Sequence, residues 1–250
     1  MIESASAPQP HPATTIEDQT VAMSRLMGLA VFGEKVASRT YLKMGDIEPR
    51  YFDLMRKFAA MEAGHGASFL KASRANGVEP DRDFADAELG YLIDQVDAHA
   101  AAGDFDALAV VQGFIVESLA IATYDSFLGV ADRYPGAREA FQTALDDEHY
   151  HVDWITRYLR LRYFDATDDL LALAERVNVQ GVDCVGGSLM NIADYLDVVG
   201  MSGADCAGAM MDGYTELLEN AGVETRAATR NVMSLFVPLI RKYRRGDRAK

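Results

Sequence analysis

The sequence predicts an all-α fold with a bundle of four long helices at its centre. Three observations lead there. Apolar residues recur at three- and four-residue steps almost throughout the chain, the period that lines one face of an α-helix. No stretch of alternating β-branched residues reaches the length of a strand. Turn signals fall at helix-sized intervals: Gly45-Asp46 with Pro49 beyond, Asn76-Gly77, Gly103-Asp104, Pro135, Asp165 to Thr167, Gly200 to Ser202 and Gly222. They divide the chain into about eight helices.

Taken in order, residues 1–14 are rich in Ala, Ser, Pro and Thr. They read as a disordered tail, without the basic start and apolar stretch of a secretory signal. A single domain is expected over 15–240. Its long helices span roughly 17–44, 48–75, 104–132 and 135–163, each tall enough at about 1.5 Å per residue to line a bundle. Pro49 and Pro135 stand where a first helical turn is expected, a position at which proline loses no intrahelical hydrogen bond. About four shorter helices complete the fold, those after about 167 among them. The last ten residues, 241–250, carry six Lys or Arg against one Asp and read as a solvated basic tail.

The totals narrow the function. A length of 250 residues with 49% hydrophobic content is enough for one packed core. A formal charge of -14 repels phosphates, so nucleic acid is not an expected partner. No run of about 18 consecutive apolar residues occurs, so no stable membrane insertion is expected. The two cysteines, Cys184 and Cys206, form neither a disulfide framework nor a C-x-x-C pattern. They read as small buried apolar residues in a reducing cytoplasm.

An internal repeat carries the chemistry. The segment EKVASRTY from Glu34 and the segment ESLAIATY from Glu117 share Glu, Ala, Thr and Tyr at matched offsets. Each is followed on the next helix by Glu-x-x-His, Glu62 with His65 and Glu148 with His151. Residues three apart on a helix project from one face and can grip one ion. Glu62 and His65 fall in the apolar stripe of Met55, Phe58, Phe69 and Ala72, while Glu148 and His151 fall in that of Phe141, Ala144, Ile155 and Tyr158. Asp146 and His149 have the same spacing but lie about 200° around the helix, and are assigned to the surface. Glu34 and Glu117 also occupy inner stripes, so four glutamates are expected to meet in one core.

Four buried carboxylates need compensation, because an unpaired buried charge costs several kcal/mol or takes up a proton. Two divalent ions balance four carboxylates, and neutral imidazoles complete the coordination. Mixed oxygen and nitrogen donors suit two iron ions, with manganese possible in their place; structural zinc more often recruits thiolate. One Glu from each of two helices and Glu-x-x-His from each of two others is the known ligand pattern of ferritin-like di-iron proteins. The bland alternative is a set of buried ion pairs in a helical scaffold.

At these residues the chain resembles the aldehyde-deformylating oxygenases, or long-chain fatty aldehyde decarbonylases, ferritin-like di-iron enzymes of alkane biosynthesis. The resemblance runs from about residue 20 to about 230. It includes Tyr41 after Glu34, Gln112 before Glu117, Tyr124 after it and Asp147 before Glu148, as well as Ile192-Ala193-Asp194, Gly200-Met201 and Leu218 to Gly222. It implies Glu34, Glu62, His65, Glu117, Glu148 and His151 as metal ligands, with Tyr41, Gln112, Tyr124 and Asp147 supporting them. It also implies the reaction: a long-chain fatty aldehyde loses its carbonyl carbon as formate, leaving an alkane one carbon shorter. Dioxygen is consumed, and electrons come from an external donor such as a ferredoxin with its reductase; an aldehyde-producing reductase would supply the substrate. Leu26, Leu29, Ala30, Phe69 and Leu119 are candidates to line an alkyl channel.

The chain departs from the family pattern at Gly64, where a large polar or basic residue is expected, and at Glu88 and Leu89, where aromatic residues near the substrate channel are expected. About two extra residues lie between Glu117 and Glu148. The ligand set survives every departure, so a related di-iron oxygenase or oxidase acting on an amine, a carboxylate or a carrier-bound intermediate stays open. Iron storage is a further alternative, against which the second Glu-x-x-His and the helices after 165 argue.

Overall fold

A computed structural model describes residues 15–244, without the side chains of 179–186, 190 and 239–244. The expected tail at 1–14, the side chains of the basic tail at 241–250 and the burial of Cys184 therefore lie outside the described residues. Cys206 is buried. The helices are α1 (Ile16–Ile47), α2 (Phe52–Ala75), α3 (Arg82–Ala101), α4 (Phe105–Leu128), α5 (Ala137–Arg162), α6 (Thr167–Val199), α7 (Gly203–Asn220) and α8 (Thr225–Arg244). Among the described residues there is no strand.

Local chemistry explains most boundaries. Thr15 caps α1 by accepting from the Asp18 N–H, while the Asp18 carboxylate accepts from the Thr15 N–H, a reciprocal capping box. Asp81 and Asp104 cap α3 and α4 by accepting from the Phe84 and Ala107 N–H groups. Gly77, Gly103 and Gly200 hold positive φ at 69°, 66° and 89° in the turns that follow α2, α3 and α6, a conformation open to glycine without steric cost.

Four expectations need correction. Gly45 does not end α1, which runs to Ile47. A Cβ at Gly45 would stand 3.2 Å from Met55 Cβ, so the glycine permits close approach to α2. Pro49 opens a short 3-10 turn, Pro49–Tyr51, and α2 starts only at Phe52. Pro135 lies before α5, whose first cap is Gly136 at φ 73°. The helix after 167 is not short: α6 has 33 residues. Its buried positions Leu170, Ala174 and Val177 early on and Leu189, Ile192, Leu196 and Val199 late fall on one helical stripe.

Helices α1, α2, α4 and α5 form the central bundle, α1 packing chiefly on α2 and α5 on both α2 and α4. Helix α3 closes over α1, and α6 lies across α1 and α3. Helix α4 is long and apolar enough to cross a membrane by composition, but 78% of its apolar window is buried inside the protein, as a central bundle helix requires.

Candidate metal centre

Helix α4 is not regular. At Val111–Glu117 it widens into a π-helix, every residue of which is buried. In an α-helix, residues five apart point about 140° away from each other. The wider turn brings Gln112 and Glu117 to one side, and the Gln112 Nε2–H donates to Glu117 Oε1 at 2.8 Å. π-Turns of this kind concentrate at functional sites. Gly113 lies in the same turn against Ile155 of α5.

The structure brings all six expected ligands together, each at most 3% exposed. They form two overlapping sets. The donor atoms of Glu34, Glu62, His65 and Glu148 lie within 4.8 Å of one another, and so do those of Glu62, Glu117, Glu148 and His151. Glu62 and Glu148 belong to both sets and are placed to bridge, whereas Glu34 with His65 and Glu117 with His151 stand at opposite ends. His65 Nδ1 is 3.2 Å from Glu62 and 3.3 Å from Glu34. His151 Nδ1 is 2.9 Å from both Glu62 and Glu148. Both histidines thus turn the same nitrogen inward.

The repeat produces a crossed support. The Tyr41 hydroxyl donates to Glu117 Oε1 at 2.6 Å, and the Tyr124 hydroxyl donates to Glu34 Oε1. Each tyrosine follows its own glutamate by seven residues, about 10.5 Å along the axis and out of reach. Antiparallel pairing of α1 and α4 puts each beside the other's glutamate instead. Asp147, half-buried, contacts His65 Nε2 at 2.9 Å. His151 has no such acid: the position corresponding to Asp147 in the first half is Met61, and His151 Nε2 is buried without a partner. Its ring packs instead on Phe58 and Tyr41, at 4.5 and 5.3 Å. Asp146 and His149 are exposed, as their register required.

The electrostatics call for cations. Burial, with the neighbouring carboxylates added, pushes Glu34 and Glu148 well above the ordinary carboxyl range, and Glu117 also rises. Burial acts on Glu62 in the same direction, yet contacts with His151 and His65 hold it at about 2. His65 loses by burial and gains more from Glu34 and Glu62, reaching about 11. Glu34 Oε2 and Glu62 Oε1 remain buried without hydrogen-bond partners, Glu62 Oε1 lying 2.9 Å from His151 Nδ1 but out of hydrogen-bond alignment. Buried carboxylate oxygens without hydrogen-bond partners, one beside each imidazole, suit a pair of divalent ions.

An apolar cavity leads away from this cluster between α1 and α4, under α3 and α6. Glu34, Glu117 and Glu148 line it at the cluster, and Leu26, Leu29, Ala30 and Leu119 further out. Phe69, the fifth expected channel residue, does not line it: Phe69 is fully buried and packs on Phe141 and Tyr124. The two rings it packs on, Tyr124 and Phe141, line the cavity instead. Beyond Leu89, expected near the channel, α3 and α6 give a share of the cavity wall that spacing does not reveal, namely Leu92, Ser188, Leu189, Ile192 and Leu196. Helical spacing alone marks those as core, with nothing to separate a cavity wall from a packed seam. Leu89, one of the departures, lines the cavity, whereas Glu88 accepts from the Asn191 side chain at 3.1 Å. Gly64 is exposed with open space beside it.

A family model described as long-chain fatty aldehyde decarbonylase matches residues 17–237. The chain belongs to the long-chain fatty aldehyde decarbonylase family. A solved protein from Synechococcus, described as having aldehyde deformylating oxidase activity, superposes with a TM-score of 0.81 at 28% sequence identity, over 87% of this chain and 97% of that one. The family match runs through all four helices that carry the six clustered residues.

Proposed function

We propose that this chain is a di-iron aldehyde-deformylating oxygenase: it converts a long-chain fatty aldehyde to formate and the hydrocarbon one carbon shorter, using dioxygen and external electrons. The observation that carries the reading is the meeting of two overlapping four-donor sets at the inner end of an apolar cavity. Glu34, Glu62, His65, Glu117, Glu148 and His151 would hold two iron ions, or manganese in their place. Bound iron supplies the one-electron chemistry that activates dioxygen.

The protein's own part is positional. Leu26, Leu29, Ala30, Leu89 and Leu119 offer an alkyl chain an apolar path, so the polar aldehyde head comes to rest at the carboxylate end. The walls exclude water, which strengthens every charge interaction at that end. Tyr41 and Tyr124 fix the orientation of Glu117 and Glu34. Burial first, and then the facing carboxylates, hold both phenols far above their usual range, so they act as neutral donors. Asp147 holds the His65 ring by its outer nitrogen.

Electrons would come from a ferredoxin with its reductase, and the substrate from an aldehyde-producing reductase, in a reducing cytoplasm that suits the cysteine usage. The test is anaerobic loading with ferrous iron, followed by dioxygen, a reductant and a series of aldehydes. Formate and a shortened hydrocarbon are expected. A hydroxylated or N-oxygenated product would move the chain to another oxygenase reaction on the same fold.

A further inference from the structure

The sequence contains one tryptophan, Trp154, placed three residues after His151 on α5 and four before Tyr158, so that all three share one helical stripe. The rings between the metal centre and the surface form a continuous row. The His151 ring lies 4.5 Å from Phe58, Phe58 lies 6.0 Å from Trp154, and Trp154 stacks on Tyr158 at 5.7 Å with an interplanar angle of 10°. Tyr51 stands edge-on to both, at 5.2 Å from Trp154 and 5.9 Å from Tyr158. The row ends at a surface groove lined by Tyr51, Trp154 and Tyr158 together with Arg50, Arg157 and Arg162. At its outer end the Tyr158 hydroxyl donates to Asp106 Oδ1, and the same carboxylate accepts from Tyr163 at 2.8 Å and Arg162 at 3.1 Å.

We propose that Trp154 and Tyr158 relay single electrons from this groove to the His151 side of the metal centre. The proposal rests on the di-iron reading above. Electron tunnelling weakens steeply with distance, so several steps between adjacent rings outpace one long step through aliphatic core. Indole and phenol are the side chains that can lose an electron to a strong oxidant, whereas Phe58 serves only to keep the gap packed and dry. Loss of an electron from a phenol releases its proton, and the Asp106 carboxylate is already hydrogen-bonded to Tyr158 to receive it. Burial, with the Asp106 contact added, raises the Tyr158 hydroxyl far above its usual range, so Tyr158 starts as a neutral phenol. His151 carries rings on its outer face where His65 carries an acid.

The step balances. When dioxygen is reduced at the centre with fewer electrons than it needs, the remaining oxidising equivalent takes one electron from Trp154. Trp154 then takes one from Tyr158, whose proton passes to Asp106. A one-electron reductant in the groove returns an electron to Tyr158, and Asp106 returns the proton. The net result is one electron moved from the external reductant to the centre, with no proton gained or lost by the row.

A second exit competes geometrically. Tyr150 is 45% exposed, and its ring lies 6.4 Å from His151 and 5.5 Å from Phe58. The experiment separates the two. Full-length protein is loaded anaerobically with ferrous iron, its iron content is measured, and it is mixed with dioxygen without aldehyde or reductant. Freeze-quench paramagnetic resonance then detects an aromatic radical, the fluorescence of the single tryptophan falls, and peptide mass mapping finds oxygen added at Trp154. Tyr158→Phe raises oxygen addition at Trp154 several-fold, because the oxidising equivalent stops there; Asp106→Asn does the same by removing the proton acceptor. Trp154→Phe abolishes the tyrosyl component, and Tyr150→Phe changes none of these readings. The relay is overturned if iron binds but Trp154 stays intact and Tyr158→Phe behaves as wild type, or if Tyr150→Phe removes the radical. A wild-type chain that takes up no iron overturns the di-iron reading itself, and the relay with it.

Discussion

At Glu117 two donors, the Tyr41 hydroxyl and the Gln112 amide, converge on a single carboxylate oxygen. That leaves the other oxygen for an ion. Removing one such support is expected to loosen the ion: Tyr41→Phe should weaken metal affinity by about 10–100-fold, read by titration against a competing chelator. The two shared carboxylates and the two terminal ones should differ in a way that metal analysis can count. Glu34→Ala removes a ligand from one set only and should leave about one ion per chain, whereas Glu62→Ala removes a ligand from both sets and should leave almost none. Equal losses from both variants would contradict the bridging assignment. The identity of these residues was legible in the repeat, because Glu-x-x-His at one helical face needs only local geometry. Which glutamates are shared, and which tyrosine serves which glutamate, was not legible, since both depend on how α1 and α4 face each other.

Helix α4 shows what an element adds to its residues. Its π turn rotates Glu117 into register with Gln112, and its Gly113 lies so close to α5 that an added Cβ would stand 2.8 Å from Ile155 Cγ2. Gly113→Ala is therefore expected to destabilise the fold by about 1–3 kcal/mol through overpacking, measured by urea unfolding. Gly64→Ala is the control on α2: the position is open, and replacing a helical glycine there should stabilise by about 0.5–1 kcal/mol. A loss at Gly64 as large as at Gly113 would show that helix propensity or ligand geometry, not contact with Ile155, sets the cost. Apolar spacing located α1, α2, α4 and α5 to within a few residues. It misread Gly45 as a stop, since a glycine that ends a helix and one that admits a neighbouring helix look alike until the neighbour is in place.

Across the whole molecule, the carboxylate cluster is a cost that bound cations would offset. Metal that binds only the folded state adds about 2.7 kcal/mol at a hundredfold excess over its dissociation constant, which for a chain of this size raises Tm by about 5–10 °C. Calorimetry with manganese, which avoids turnover, should show this rise, and a chelator should reverse it; a Tm indifferent to metal would argue for a proton-balanced scaffold. The cavity is walled by five helices, α1, α3, α4, α5 and α6, with α3 and α6 supplying one side. Ala120→Phe, which puts a ring into that space from α4, should shift preference toward shorter aldehydes, a discrimination worth about 1–3 kcal/mol per methylene-sized clash. Turnover across a series of chain lengths measures it, and an unchanged profile would place the alkyl chain elsewhere.

The sequence by itself determined the helical class, the repeat, the six chemically distinctive side chains and the charge argument for two cations, because periodicity, ligand spacing and the cost of buried charge are local or additive. Only the tertiary structure decided which two carboxylates belong to both donor sets, the crossed tyrosines, the exclusion of Phe69 from the cavity and the aromatic row behind His151. Each of those depends on the angle and register at which separate helices meet, and residues far apart in the chain settle that jointly when they pack.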